Sequence, residues 1–126
     1  MPGIQRFQMR CIMSKLKCPI KIRLAKDEVF FGPGVATLLR LVEKYESVNA
    51  AAKNMQLSYS KAYKMIHGSE EVLGFKLLDR KIGGTNGGGS TLTPECVEFL
   101  NTFEKFSSEL KEISDNLFDK YFNKYI

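Results

Sequence analysis

The chain has 126 residues, 44% of them hydrophobic, with a formal charge of +5 at pH 7 and a pI near 9.1. That is enough for one domain with its own core, and the positive balance favours a polyanionic partner. No apolar run approaches the ~20 residues of a membrane helix. The three cysteines, Cys11, Cys18 and Cys96, are odd in number and widely spaced, which argues against a disulfide framework and suits a reducing cytoplasm.

The charge is segregated along the chain. Residues 1–26 hold seven Lys or Arg and no acid, the stretch 58–81 is net basic, and the last third is net acidic. In residues 1–19 basic side chains interrupt every apolar run, unlike a signal peptide. The segment reads as a flexible basic leader, with a backbone-binding arm as the other option. Residues 20–93 are expected to form one domain, and residues 94–126 a long helix packed on it.

Within the domain, Ile20, Ile22 and Leu24 alternate with polar or small residues, as on a half-buried strand. Asp27 and Glu28 suit a turn, after which Val29, Phe30 and Phe31 return to the core. Gly32-Pro33-Gly34 starts a helix. Val35, Leu38, Leu39, Val42 and Tyr45 share its inward face. Ser47 is an N-cap for a second helix, with Val48, Ala51, Ala52 and Met55 inward. Gln56-Leu57-Ser58 makes a turn. A third helix is predicted over about 59–73, with Ala62, Ile66 and Leu73 buried. Leu77 and Leu78 begin a strand, residues 83–89 are a glycine-rich tip, and residues 90–92 return.

The last helix has strong start signals. Thr93 can cap it, Pro94 suits the first position, and Leu92 with Val97 is placed as a hydrophobic staple. Phe99, Phe103, Phe106, Leu110, Ile113 and Leu117 then repeat at 4-3-4-3-4 spacing, a heptad seam. A helix from residue 94 to about 122 is roughly 43 Å long, more than one small domain covers. The seam therefore predicts a homodimer.

A fold that is mainly α, with a small β-hairpin wing and a long terminal helix, points to DNA. A short helix, a tight turn, a longer helix and a basic hairpin can address the major groove and its backbone together. The outward face of the third helix includes Tyr59, Ser60, Tyr63 and Lys64, suited to base edges. Asn49, Ser58, Lys61, Arg80, Lys81, Thr85 and Asn86 are placed for phosphates. A protein–protein adaptor on the same scaffold is the alternative.

Enzymatic and metal readings find little support. Gly83 and Gly88 have Walker spacing, but Gly89 stands where the lysine belongs and the loop joins strand to strand. Glycines at that tip instead permit close approach to a sugar–phosphate backbone. The single histidine, His67, has no nearby cysteine, and neither a metal ligand set nor a catalytic triad stands out. No enzyme activity, cofactor or metal is expected.

Residues 47–93 resemble the N-terminal DNA-binding domain of ModE, the molybdate-responsive transcription regulators, themselves similar to the winged helix-turn-helix of LysR-type regulators. The resemblance rests on Leu38-Leu39, Ser47-Val48, Ala51-Ala52-Lys53, Ser58-Tyr59, Ala62-Tyr63, Ile66, Arg80, Gly83-Gly84, Gly87-Gly88-Gly89 and Leu92-Thr93. The glycine-rich wing followed by Leu-Thr is its most specific part. It implies a recognition helix, a wing, a dimer arm, double-stranded DNA as partner and a prokaryotic cytoplasm. Tyr63 stands where ModE proteins often have tryptophan, and Ser60 where they often have lysine, so the operator is expected to differ. ModE proteins carry a C-terminal molybdate-binding region, and no molybdate binding is expected from these 126 residues alone.

Overall fold

A computed structural model describes residues 15–81 and 89–126. Residues 21–105 form one compact unit, and residues 106–126 belong to another. The larger unit begins with β1 (Leu24–Ala25) and β2 (Val29–Phe31), an antiparallel pair. Three helices follow: α1 (Pro33–Tyr45), α2 (Val48–Asn54) and α3 (Tyr59–Leu73). A second hairpin, β3 (Leu78–Lys81) and β4 (Gly89–Leu92), leads into α4 (Pro94–Phe122). A short 3-10 turn, Asn123–Tyr125, ends the chain's regular structure.

Local chemistry sets most of these boundaries. Pro33 occupies the first turn of α1, where its missing N–H costs nothing. Ser47 accepts the Ala50 amide at 3.1 Å and Ser58 accepts that of Lys61 at 3.1 Å, so α2 and α3 each start on a serine cap. Gly74, at φ 79°, ends α3 in the left-handed conformation that glycine adopts without strain. Thr93 links two elements at once. Its Oγ1 accepts the Cys96 amide at 3.1 Å and donates to the Lys76 carbonyl at 2.6 Å, tying the start of α4 to the approach to β3.

The core joins Phe31, Leu38, Leu39, Val42, Ile66, Leu77, Cys96 and Leu100, all at most 2% exposed. Each large side chain so buried contributes about 1.5–3 kcal/mol. Phe31 lies at its centre, edge-to-face with Phe99 at 4.8 Å and with Phe103 at 4.9 Å. The Cys96 thiol is fully enclosed, and that burial pushes its pKa up to about 12. On the surface, the Arg40 guanidinium donates to Glu43, Asn101 and Glu104, bridging α1 and α4. The hydrogen bond from Arg40 holds the Glu104 carboxyl below its usual range.

Several expectations are refined. Burial alternates from residue 20 to 25 as expected, yet only Leu24 and Ala25 pair as a strand. Tyr45, expected inward, is exposed at the last turn of α1, where its hydroxyl accepts from Asn54 Nδ2 at 3.2 Å. Ser69 is fully buried, a position the apolar pattern passes over. Its hydroxyl is satisfied by donating to the Phe30 carbonyl at 2.6 Å.

Candidate nucleic-acid interface

Packing between α2 and α3 depends on small side chains. Ala51, Ala52 and Ala62 are at most 1% exposed, so the two backbones approach closely. The turn between them is closed by the Leu57 amide donating to the Ala52 carbonyl at 2.8 Å. Gln56 makes the tight reversal possible with a left-handed φ of 58°.

This frame turns one face of α3 outward. Tyr59, Ser60, Lys61 and Lys64 are exposed, and Tyr63 is half-buried at the edge of the core. The Tyr63 ring lies 5.5 Å from that of Tyr59 and 4.4 Å from that of His67. His67 is in turn held by Glu70, whose Oε1 lies 2.9 Å from its Nδ1. The second oxygen of Glu70 accepts the Leu77 amide at 2.7 Å, so the carboxylate is fixed from two sides.

Between α3 and the β3–β4 hairpin runs a cleft of about 360 Å³. Tyr59, Tyr63 and His67 line one wall, and Lys76, Arg80 and Ser90 contribute to the other. Asp79 and Glu70 also line it, so it is polar rather than purely basic. Among the phosphate candidates, Asn49, Ser58, Lys61 and Arg80 are exposed. The Ser58 oxygen is engaged as the cap of α3. Lys81 pairs with Gly89 through its backbone. Its side chain, Thr85, Asn86 and the glycine tip lie outside the described residues.

His67 and Lys76 join this cleft although sequence reasoning assigned them no role in the interface. The spacing 59-63-67 carries the aromatic row one turn further, which is the signal that could have found His67. Lys76 is placed by the turn after α3, which helical periodicity does not reach.

The six seam residues divide between two environments. Phe103 is 6% exposed and Phe99 half-buried, both packed on Phe31 inside the larger unit. In the other unit, Phe106, Leu110, Ile113 and Leu117 are 49%, 37%, 55% and 50% exposed. They form a heptad row that nothing in the described chain covers. Among the described residues, no helix is long and apolar enough to cross a membrane.

Comparison with known proteins agrees with this geometry. Residues 36–96 match the family model of bacterial regulatory helix-turn-helix proteins of the lysR family. The chain is 33% identical over 79 residues to the transcriptional regulator ModE of Haemophilus influenzae, covering 63% of this chain and 31% of that protein. It is 31% identical over 85 residues to the molybdenum transport protein ModE of Herbaspirillum seropedicae, covering 68% and 30% respectively. The matched segment thus spans less than a third of either relative. A solved structure of a mutant of ZitR from Lactococcus lactis shares the fold, with a TM-score of 0.51, 18% identity, and coverage of 98% of this chain and 85% of that one. The chain is thus similar to LysR-type regulatory helix-turn-helix proteins over residues 36–96 and to ModE regulators over a stretch of comparable length, and its fold is that of a winged helix followed by the long helix α4.

Proposed function

We propose that the chain is a sequence-specific, DNA-binding transcription regulator that acts as a homodimer in a prokaryotic cytoplasm. The carrying observation is the juxtaposition of α3 with the β3–β4 hairpin inside the matched helix-turn-helix domain. Tyr59, Ser60, Tyr63 and Lys64 read base edges in the major groove. Asn49, Lys61, Arg80 and Lys81 hold phosphates, with Ser58, Thr85 and Asn86 beside them. Phosphate contacts supply most of the affinity, while the side chains on α3 supply the discrimination. The role is one of binding, and no catalytic step is assigned to the chain.

Dimerisation follows from the exposed row on α4. Phe106, Leu110, Ile113 and Leu117 recur at heptad spacing, and a second copy of the same helix is their natural cover. Two α3 helices related by a two-fold axis read a rough palindrome, with half-sites about 34 Å apart or a multiple of that.

The test is selection of preferred duplexes from a random pool, followed by affinity measurements across salt concentrations. The reading requires an enriched, roughly palindromic site and a steep fall of affinity with salt. Weak binding with a flat salt dependence would favour the adaptor role instead.

A further inference from the structure

We propose that the β1–β2 hairpin is a second backbone clamp. Lys21, Arg23 and Lys26, across a cavity from Lys64, hold phosphates of the DNA strand on the flank of α3 away from the β3–β4 hairpin. This rests on the reading of α3 as the helix in the major groove.

An α-helix with its side chains is about 10–12 Å across, and the major groove is about 12 Å wide. A helix seated there has a sugar–phosphate strand along both flanks. The cleft beside the β3–β4 hairpin uses Tyr59, Tyr63, Ile66, His67 and Glu70 of α3. A second, larger cavity of about 620 Å³ uses Lys64, Met65, Gly68, Glu71 and Val72. At 100° per residue the two sets are centred roughly 150° apart around the helix. The β1–β2 hairpin and the residues leading into it form the far wall of the second cavity.

Three features fit that wall to a phosphate strand. First, Lys21, Arg23, Lys26 and Lys64 are all exposed, and none forms an ion pair among the described residues. Second, Arg23 is placed by packing. Its aliphatic stem rests on Gly32, where a Cβ would lie 3.0 Å from Arg23 Cγ. The guanidinium is thereby carried on a supported stem. Third, Gly68 sits in the middle of α3, where glycine weakens a helix, and a Cβ there would meet nothing within 4 Å. No packing within the described chain requires that glycine. It leaves open the space that a close backbone approach needs.

The same cavity also contains carboxylates: Asp27 and Glu28 at the hairpin turn, and Glu71 in the C-terminal half of α3. They confine the phosphate path to the part of α3 before Glu71, which begins with the turns that reach base edges in helix-turn-helix proteins.

The experiment uses the full chain and its selected duplex. Lys21, Arg23 and Lys26 are replaced by Ala together, and separately Gly68→Leu fills the open space without removing charge. Thermal melting establishes that each variant is folded. The triple variant should lose affinity for selected and random duplex by the same factor. Its slope of log affinity against log salt should fall by about 0.9 for each phosphate no longer neutralised. Gly68→Leu should also bind more weakly, although its melting temperature should be no lower than that of the wild type, because leucine is the better helix former. In ethylation interference the triple variant should lose its signal along one groove edge only. Wild-type affinity and slope in the triple variant, with Arg80→Ala still weakening binding, would overturn the second clamp and leave the role of α3 standing. If Lys64→Ala and Arg80→Ala also had no effect on DNA binding, both readings would fall together.

Discussion

The carbonyl oxygen of Glu46 occupies the space in which a side chain at Gly89 would begin. A Cβ at Gly89 would lie 2.5 Å from that oxygen, and the next residue, Ser90, donates its amide to the same atom at 3.0 Å. Glu46 is itself left-handed, with φ 53°, at the corner between α1 and α2. Backbone groups on both sides therefore anchor the β4 strand to that corner.

Replacing Gly89 with Ala should force the two backbones apart. Overpacking of this kind costs about 1–3 kcal/mol, and chemical denaturation of the variant should show a loss in that range. A melting curve identical to wild type would mean that the hairpin shifts freely, and that the close approach does not anchor it.

The exposed row on α4 leads to a second expectation. Replacing Leu110 and Ile113 with Asp should give a folded monomer in sedimentation experiments, because each apolar side chain removed from a dimer seam forfeits about 1.5–3 kcal/mol. A dimer that persists would place the interface elsewhere.

Helix and hairpin should contribute separably to DNA binding. Tyr63→Ala or Lys64→Ala should cost about 1–3 kcal/mol on the preferred site and little on random duplex. Arg80→Ala should weaken all sequences alike and reduce the salt slope by about one. Titrations on two duplexes at several salt concentrations make the comparison. Identical behaviour of the two groups would refute the division of labour.

The thiol of Cys96 should be chemically silent in the native state. Its pKa is pushed up to about 12 by burial, so at pH 8 mass-mapped alkylation should modify the exposed Cys18 quickly and Cys96 only on unfolding. The raised value also makes stability depend on pH. Between about pH 9 and 12 the unfolded thiol loses its proton while the folded one keeps it, so stability falls as pH rises. The slope for this one group approaches about 1.4 kcal/mol per pH unit. Cys96→Val should remove that component from the alkaline limb of the stability profile. Superimposable profiles would show that Cys96 is not protected.

The Arg40–Glu104 pair carries the opposite sign. Its carboxyl titrates below the usual value because Arg40 donates to it. The pair therefore stabilises the fold above the unfolded carboxylate pKa and ceases to do so as pH falls through the folded one. Both side chains are partly exposed, so solvent screening limits the effect to about 0.2–1 kcal/mol. Glu104→Gln should cost that much at pH 7 and nothing in acid, in denaturation experiments at the two pH values.

The helical frame was legible because its signals are local. The serine cap at residue 47, Pro33, Pro94 and the alanine-rich α2 each state a boundary or a face within a few residues. Contacts that join distant segments were not legible. Ser69 is polar, and only its reach to the Phe30 carbonyl explains its burial. Gly89 read as one of a run of flexible glycines, although it is required by a carbonyl more than forty residues away. Tyr45 followed the apolar stripe of α1 in sequence, but the core ends a turn earlier. At the interface, the outward positions of α3 followed from its buried ones. His67 and Lys76 needed the hairpin to be placed beside the helix before they became neighbours.

The alanines between α2 and α3 have a consequence for the thermodynamics of recognition. Ala51, Ala52 and Ala62 have no side-chain torsions to rearrange, and the backbones they join are already in contact. In the proposed role, the reading head is thus assembled before any duplex arrives. The entropy lost on association falls mainly on the exposed Tyr and Lys side chains of α3, at about 0.5–1.5 kcal/mol for each one immobilised. Different target sequences would then be distinguished by how many of those side chains they bring to rest, on a helix pair that stays the same for all of them.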